Sequence, residues 1–217
     1  MIGSLLALVL GVLLAFGPAA MAVAATPSSG SEPLPQLFDR ALRASRDGRF
    51  GDALPLWDQV IARAPEDAAA WSNRGNVQLA LGDPEAAIAD QGRAMQLDPE
   101  NPDPHLNRGT AEEALGQWAA AEADYRWILE ANASAGEAPD ASALYNLGNV
   151  QGSRGNWAAA RASFVEAADV RPGFAMARSS GALANGALEG TSVIFSTACS
   201  THPAFPTAYT HTYTYCC

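Results

Sequence analysis

Asparagines recur at fixed intervals in this chain, and amides placed in this way are suited to binding chemistry. Asn73, Asn107 and Asn146 hold one position of a recurring segment, and Asn76 and Asn149 hold a second position three residues further on. Residues three apart share one face of a helix. Asn73 and Asn76 are therefore predicted to point the same way, and so are Asn146 and Asn149. Because an Asn side chain carries both a donor and an acceptor, these residues are candidate contacts for the backbone of an extended peptide.

Tyr145, immediately before Asn146, is an apolar candidate for the same site. The alternative is that Asn73 and Asn107 only complete the hydrogen bonding of their own loops and helices. The residues alone leave both interpretations open.

Residues that titrate do not form a catalytic pattern. The chain has no glycine-rich phosphate loop, no His-Glu-x-x-His and no Gly-x-Ser-x-Gly. Glu112 and Glu113 are adjacent carboxylates, but neighbours on a helix point about 100° apart and cannot converge on one substrate. His105 holds the place of Trp71 one segment earlier, so it is predicted to pack between helices. We therefore predict a protein that is not an enzyme, without catalytic residues and without a cofactor.

Cysteines occur only near the end of the chain, at Cys199, Cys216 and Cys217. Together with His202 they provide thiolate and imidazole groups, which zinc prefers. Cys199-x-x-His202 matches no standard zinc-binding spacing, however, so no metal site is predicted. An odd number of cysteines in an exported chain would leave a free or intermolecular thiol.

Glycines at a constant spacing identify the elements that must carry these side chains. The three pairs are Gly75 and Gly82, Gly109 and Gly116, and Gly148 and Gly155. The second pair follows the first by 34 residues, and the third follows the second by 39, which is one period plus a five-residue insertion. A period of this length is typical of stacked pairs of helices.

Local signals predict two helices in each segment. The first glycine of a pair, such as Gly75, would let the second helix approach closely, which offsets a cost of about 1 kcal/mol for glycine inside a helix. The second glycine, such as Gly82, lies where the first helix should end. Asp83-Pro84 then begins the second helix, and a proline such as Pro99 ends it.

Further positions recur in phase with the glycines. They are Trp71, His105 and Tyr145; Ala53, Ala87, Ala121 and Ala160; Trp57, Gln91, Tyr125 and Phe164; and Pro65, Pro99 and Pro172. The combined pattern resembles the tetratricopeptide repeat (TPR). The stretches 71–124 and 140–178 are also similar to exported TPR proteins of cyanobacteria and plastids.

The resemblance implies an all-α, right-handed solenoid of about four helix pairs. The predicted units are residues 34–67, which are degenerate, 68–101, 102–135 and 141–174. In this family the first-helix positions of the recurring asparagines face a concave groove and contact the ligand. The implied peptide-binding residues are Asn73, Asn76, Asn107, Tyr145, Asn146 and Asn149.

One subtype of the family holds the C-terminal carboxylate of chaperones with Lys and Arg side chains. The corresponding residues here are Phe38, Leu42, Asn73, Asp103 and Asn107, of which only Asn73 fits. The resemblance therefore implies a protein or peptide partner that is neutral or basic rather than acidic.

Charge limits the other partners that the chain can have. The 217 residues carry a formal net charge of −10 at pH 7. Proteins that bind nucleic acid usually have a basic surface, so no nucleic-acid partner is predicted. An anionic membrane surface is disfavoured for the same reason, which leaves membrane association only through the N-terminal segment.

The N-terminal segment is predicted to direct export. Residues 1–31 hold no charged side chain, and an apolar run is followed by Ala-x-Ala sites at residues 20–22 and 22–24. Residues 1–25 therefore read as a signal peptide, and residues 26–33 as a linker. The expected location is the periplasm, the thylakoid lumen or the extracellular space. The alternative is an uncleaved membrane anchor at residues 2–25, since 24 residues are enough to cross a bilayer.

The composition changes after the fourth unit. Residues 175–189 begin like another first helix, with Met176, Leu183 and Leu188 as apolar anchors, and are predicted to cap the stack only partly. Residues 190–217 form a low-complexity tail, which a shifted reading frame would also produce.

These observations predict a non-catalytic scaffold or assembly factor that uses a concave groove to bind a peptide segment of a protein partner. Two alternatives stay open at this point. One is a membrane-anchored structural repeat domain, and the other is a fragment of a longer TPR protein.

Overall fold

The computed structural model describes residues 32–188, and within this range it contains nine α-helices and no strand. The helices are α1 (Leu34–Arg46), α2 (Phe50–Arg63), α3 (Ala68–Ala80), α4 (Pro84–Leu97), α5 (Asp103–Ala114), α6 (Trp118–Ala135), α7 (Ala141–Ser153), α8 (Trp157–Val170) and α9 (Ala175–Leu188). The predicted all-α solenoid is confirmed. The predicted signal segment, most of the linker and the predicted tail at 190–217 lie outside the described residues.

Helices pack in antiparallel succession along the chain. Each first helix packs against its own second helix, in the pairs α1–α2, α3–α4, α5–α6 and α7–α8, and each second helix packs against the next first helix. The first helices α1, α3, α5 and α7 also contact one another in order. They therefore form one continuous surface, which we call the first-helix surface. Among residues 32–188, no helix combines the length and the apolar character needed to cross a bilayer.

Short-range signals set the helix ends as predicted. The Asp83 carboxylate accepts a hydrogen bond from the Ala86 backbone N–H at 3.0 Å, and Pro84 is the first residue of α4. Asp67 and Asp140 cap α3 and α7 in the same way. An N-cap of this kind satisfies a backbone donor that the helix itself leaves unpaired. Gly82, Gly116 and Gly155, at the ends of the first helices, have φ angles of 87°, 68° and 77°, which L side chains rarely adopt.

The inner glycines allow the two helices of a unit to approach closely, as predicted. A Cβ atom added at Gly109 would lie 2.6 Å from Cε1 of Tyr125, and one at Gly148 would lie 2.6 Å from Cε1 of Phe164. At Gly75 the nearest atom would be Nε2 of Gln91 at 2.8 Å. Each glycine thus leaves room for the large side chain sixteen residues later.

Helix α6 is longer than the other second helices for a local reason. The position that holds Pro65, Pro99 or Pro172 in the other units holds Ala133 here. Because alanine does not break a helix, α6 continues for 18 residues to Ala135 and is capped by Gly136, which has a left-handed conformation with φ 72°.

The predicted anchors of α9 are partly wrong. Met176 and Leu188 are 57% and 49% exposed, while Leu183 is half-buried. The buried face is instead made of small residues, namely Ala177, Ser180, Gly181 and Ala184. A Cβ atom at Gly181 would make an ordinary van der Waals contact with Cβ of Phe164 at 3.5 Å, so this face of α9 has room for small side chains against α8.

Candidate functional site

Three of the recurring asparagines lie at one register of three neighbouring first helices. Asn73 belongs to α3, Asn107 to α5 and Asn146 to α7, and all three are half-buried. Asn107 donates a hydrogen bond from Nδ2 to Oγ of Ser72 at 3.3 Å, which links α5 to α3. Asn73 donates from Nδ2 to the backbone carbonyl of Ala69 at 2.8 Å, within its own helix. Both amides thus lie at the predicted helical register and also form hydrogen bonds within the fold.

Asn76 is exposed, and its amide also contacts the second helix of its unit. Its Oδ1 accepts a hydrogen bond of 3.0 Å from Nε2 of Gln91, which also donates to the Ser72 carbonyl at 2.9 Å. Gln91 is 1% exposed, so the exposed Asn76 is held by a buried side chain of α4.

A carboxyl group lies next to the predicted residues on α7. The Tyr125 hydroxyl donates a hydrogen bond to Oε1 of Glu113 at 2.5 Å, and Tyr125 is fully buried. The side chains of Thr110 and Asn146 are within hydrogen-bonding reach of the same hydroxyl. Burial raises the pKa of Glu113 to about 7, although the hydrogen bond from Tyr125 acts in the opposite direction. Burial, and after it the charge of Glu113, raises the pKa of Tyr125.

Tyr145 lies close to this carboxyl group from the side of α7. It is 8% exposed and contacts the rings of Phe164 and Phe174, with centroids 5.5 Å and 5.0 Å away. Burial raises the pKa of Tyr145, Ser180 and Asn149 lower it through hydrogen bonding, and the charge of Glu113 raises it further. Tyr145 is therefore mainly a core residue, with its hydroxyl within hydrogen-bonding reach of Ser180 and Asn149.

Asn149 completes this group of residues. Its Oδ1 is buried, and none of the described residues donates a hydrogen bond to it. We call Glu113, Tyr125, Tyr145, Asn146 and Asn149 the Glu113 cluster. Sequence reasoning considered Glu113 only as a neighbour of Glu112 and missed its position, although Glu113 lies three residues after Thr110 on the same helical face.

Glu112 points away from Glu113, as their adjacency predicts, and enters a buried ionic network between α5 and α6. Asp124 accepts two hydrogen bonds of 2.7 Å from Arg108 and lies 2.9 Å from Nδ1 of His105. His105 stacks on Trp127 with ring centroids 3.7 Å apart, which confirms that it packs between helices.

The Arg–Asp pair between the two helices repeats in the preceding unit. Arg74 donates to both carboxylate oxygens of Asp90 at 2.7 and 2.8 Å. In the fourth unit Leu147 takes the place of the arginine and Ser163 that of the aspartate. Ser163 donates a hydrogen bond of 2.9 Å to Oε1 of Gln151 instead. These pairs link the first helix to the second helix within each unit.

Glu112 makes the stability of the fold depend on pH. Burial and the charge of Asp124 raise its pKa from 4.5 to about 7, against the attraction of Arg108, whose Nε lies 3.7 Å away. A raised carboxyl pKa favours folding below the unfolded value, and this contribution is lost as the pH rises from 4.5 to 7. We expect the free energy of unfolding in urea to be about 1–3 kcal/mol lower at about pH 8 than at about pH 5, with Glu113 adding in the same direction.

The substitution Glu112→Gln should reduce this pH dependence, because the amide does not titrate. The exposed Glu166→Gln on α8 is the matched control and should keep the dependence of the parent. An unchanged slope in Glu112→Gln would contradict the assignment.

Metal ligands do not cluster in the described part of the chain, where no group of three or more His, Cys, Asp or Glu side chains could hold an ion. Cys199-x-x-His202 lies outside these residues.

Stacked helix pairs with an open surface of first helices define a helical-repeat protein of the solenoid class. The tetratricopeptide repeat model matches residues 38–102 and 106–173, which is more than half of the chain. The chain therefore belongs to the tetratricopeptide repeat family. Domains of this family are in general non-catalytic modules for protein–protein interaction.

Known proteins share both the sequence pattern and the fold. The TPR repeat-containing thioredoxin TDX of Arabidopsis thaliana is 34% identical over 85 residues, which are 39% of this chain and 22% of that protein. MamA from Desulfovibrio magneticus RS-1 superimposes with a TM-score of 0.62 and 20% identity, covering 73% of this chain and 86% of the other. The first TPR of Spaghetti (RPAP3), solved with the HSP90 peptide SRMEEVD, gives a TM-score of 0.52 and 23% identity, covering 56% and 93%.

The chain spans between 19% and 38% of the length of the curated relatives that it matches. The solved structures are less than 25% identical to it and bear on its fold alone.

Proposed function

We propose that this protein is a non-catalytic scaffold or assembly factor that binds an extended peptide segment of a partner protein on its first-helix surface. The observation that carries the proposal is the row of half-buried amides at Asn73, Asn107 and Asn146, one on each of three first helices that contact one another in succession. A row of donors and acceptors at one helical register can pair with the regularly spaced polar groups of an extended backbone.

A solved relative supports the binding of a peptide, without bearing on where it lies. The RPAP3 domain was solved with the HSP90 peptide SRMEEVD, and its fold covers 56% of this chain. That peptide is acidic, whereas the present chain has a net charge of −10 and carries Asp103 on the first turn of α5. We therefore propose that the partner segment is neutral or basic, because the positions at which related domains hold an acidic C-terminus carry no Lys or Arg here and the net charge of the chain repels an acidic segment.

The experiment is a crosslinking pull-down with the full chain as bait in its native organism. We expect that Asn73→Ala/Asn107→Ala/Asn146→Ala loses a partner that the parent captures, since three backbone contacts disappear together. The matched control is Gln59→Ala/Gln96→Ala/Gln117→Ala, which removes three exposed amides on or beside the second helices.

The control variant should retain the partner, and circular dichroism should show that both triple variants keep the helical content of the parent. A partner retained by the asparagine variant would place binding elsewhere on the molecule and overturn the proposal.

A further inference from the structure

Glu113, a half-buried carboxylate on α5, differs in its charge balance from the buried carboxylates Asp90 and Asp124. Asp90 and Asp124 each receive two hydrogen bonds from an arginine, Arg74 and Arg108 respectively. No ion pair to Glu113 forms among residues 32–188, where its hydrogen-bonding partner is the neutral hydroxyl of Tyr125. Because desolvated carboxylates in proteins are usually paired with a cation, Glu113 is the unbalanced member of this set.

A second observation in the same place points to a missing donor. Oδ1 of Asn149 is buried and receives no hydrogen bond from the described residues. Asn149 is within hydrogen-bonding reach of the Tyr145 hydroxyl, and the charge of Glu113 acts on that same hydroxyl. A buried acceptor left without a donor costs about 1–3 kcal/mol, so a ligand that supplies donors here would recover that cost.

The acceptors in this cluster match the chemistry of a basic side chain. A lysine ammonium has three donors and an arginine guanidinium has five, and neither accepts a hydrogen bond. Glu113 supplies the negative charge and Asn149 supplies a second acceptor. Asn146, one of the predicted backbone contacts, belongs to the same cluster, so a side chain entering here would belong to a peptide held by that amide.

We propose that the Glu113 cluster is a specificity site that binds one lysine or arginine side chain of the partner peptide. This inference rests on the proposed function, because the peptide must lie along the first-helix surface for its side chain to enter. It adds a residue preference at one defined place between α5 and α7.

Proton release follows from this assignment. With a pKa of about 7, Glu113 is about half protonated at neutral pH in the free protein. An incoming cation stabilises the carboxylate, so binding should release a fraction of a proton at pH 7, and less at about pH 8.5 where the group is already ionised.

The test begins with a phage-displayed library of short random peptides selected on the immobilised full chain. We expect an enriched family of peptides with Lys or Arg at one fixed position. For a synthetic peptide of that family, replacing this residue by norleucine should weaken binding to the parent by about 10-fold or more, the usual effect of losing a charge-assisted hydrogen bond.

The variant Glu113→Gln removes the negative charge but keeps the contact with α6, because its amide oxygen can still accept the hydrogen bond from Tyr125. In this variant the norleucine replacement should change the affinity by less than about 2-fold, and calorimetry in buffers of different ionisation enthalpy should no longer detect proton release. Glu166→Gln, which makes the same charge change on the exposed face of α8, should behave like the parent.

The outcomes distinguish this inference from the function on which it rests. Enriched peptides without a basic position, or a basic position that Glu113→Gln leaves unaffected, would overturn the inference and leave peptide binding standing. Selection of no peptide by the parent would overturn both.

Discussion

The substitution Gly109→Ala is expected to destabilise the protein by about 1–3 kcal/mol, even though alanine is the better helix former. The added methyl group would lie 2.6 Å from Cε1 and 2.8 Å from Cζ of Tyr125. The ring cannot move aside easily, because Tyr125 is fully buried and its hydroxyl is held by Glu113. The clash must therefore push α5 away from α6, which opens the packed interface of the third unit.

Gly92→Ala provides the matched control for this prediction. Gly92 lies inside α4, and a Cβ atom at this position would meet no atom within 4 Å. The same substitution should therefore stabilise the protein by about 0.5–1 kcal/mol through the helix preference of alanine alone. Urea unfolding followed by far-UV circular dichroism measures both values. Equal changes in the free energy of unfolding at the two positions would show that close helix packing is not the reason why residue 109 is a glycine.

The substitution Asp124→Asn should cost about 3 kcal/mol, because it removes a buried carboxylate that pairs with the half-buried Arg108 and leaves this arginine without its main counter-ion. The Asp124 side chain is 4% exposed and pairs with both Arg108 and His105. Burial on its own would raise the pKa of Asp124, but the hydrogen bonds from His105 and Arg108 outweigh it and hold the pKa below its ordinary value. Arg108 would also lose the partner that keeps it aligned along α5.

The direction of the pKa change adds a test of this mechanism. A carboxyl group with a lowered folded-state pKa stabilises the fold above its unfolded value, near pH 4, and loses that contribution as the pH falls further. The free-energy difference between parent and Asp124→Asn should therefore narrow below about pH 4. Asp52→Asn, in an exposed ion pair with Arg49, should cost less than about 1 kcal/mol. A cost for Asp124→Asn as small as that of the control would refute the buried-network assignment.

The sequence by itself determined the parts of the structure that depend on short-range interactions. Gly82 and Pro84 predicted the end of α3 and the start of α4, because backbone conformation and capping involve only a few neighbouring residues. The 34-residue period predicted the stacking, because in a solenoid each unit contacts mainly the units next to it. The repeat period also placed the row of Asn73, Asn107 and Asn146 at one helical register. The role of this row in binding stays a prediction.

The tertiary structure decided which side chains meet across the helices. The partly wrong anchors of α9 illustrate the point, since Met176 was chosen for its apolar character but is 57% exposed. The helix is rich in alanine and glycine, so no strong apolar stripe marked its buried face, which is formed by small residues such as Ala177 and Gly181.

Glu113 shows the same limit at the candidate site. In the sequence it was one of two adjacent carboxylates, and helical geometry separated it from Glu112 without saying what it would contact. Its neighbours Tyr125 and Tyr145 come from two other helices, and only the packing of α6 and α7 against α5 brings them to it. A local pattern fixes the direction in which a side chain points, whereas its desolvation and its partners depend on residues that are distant in the chain.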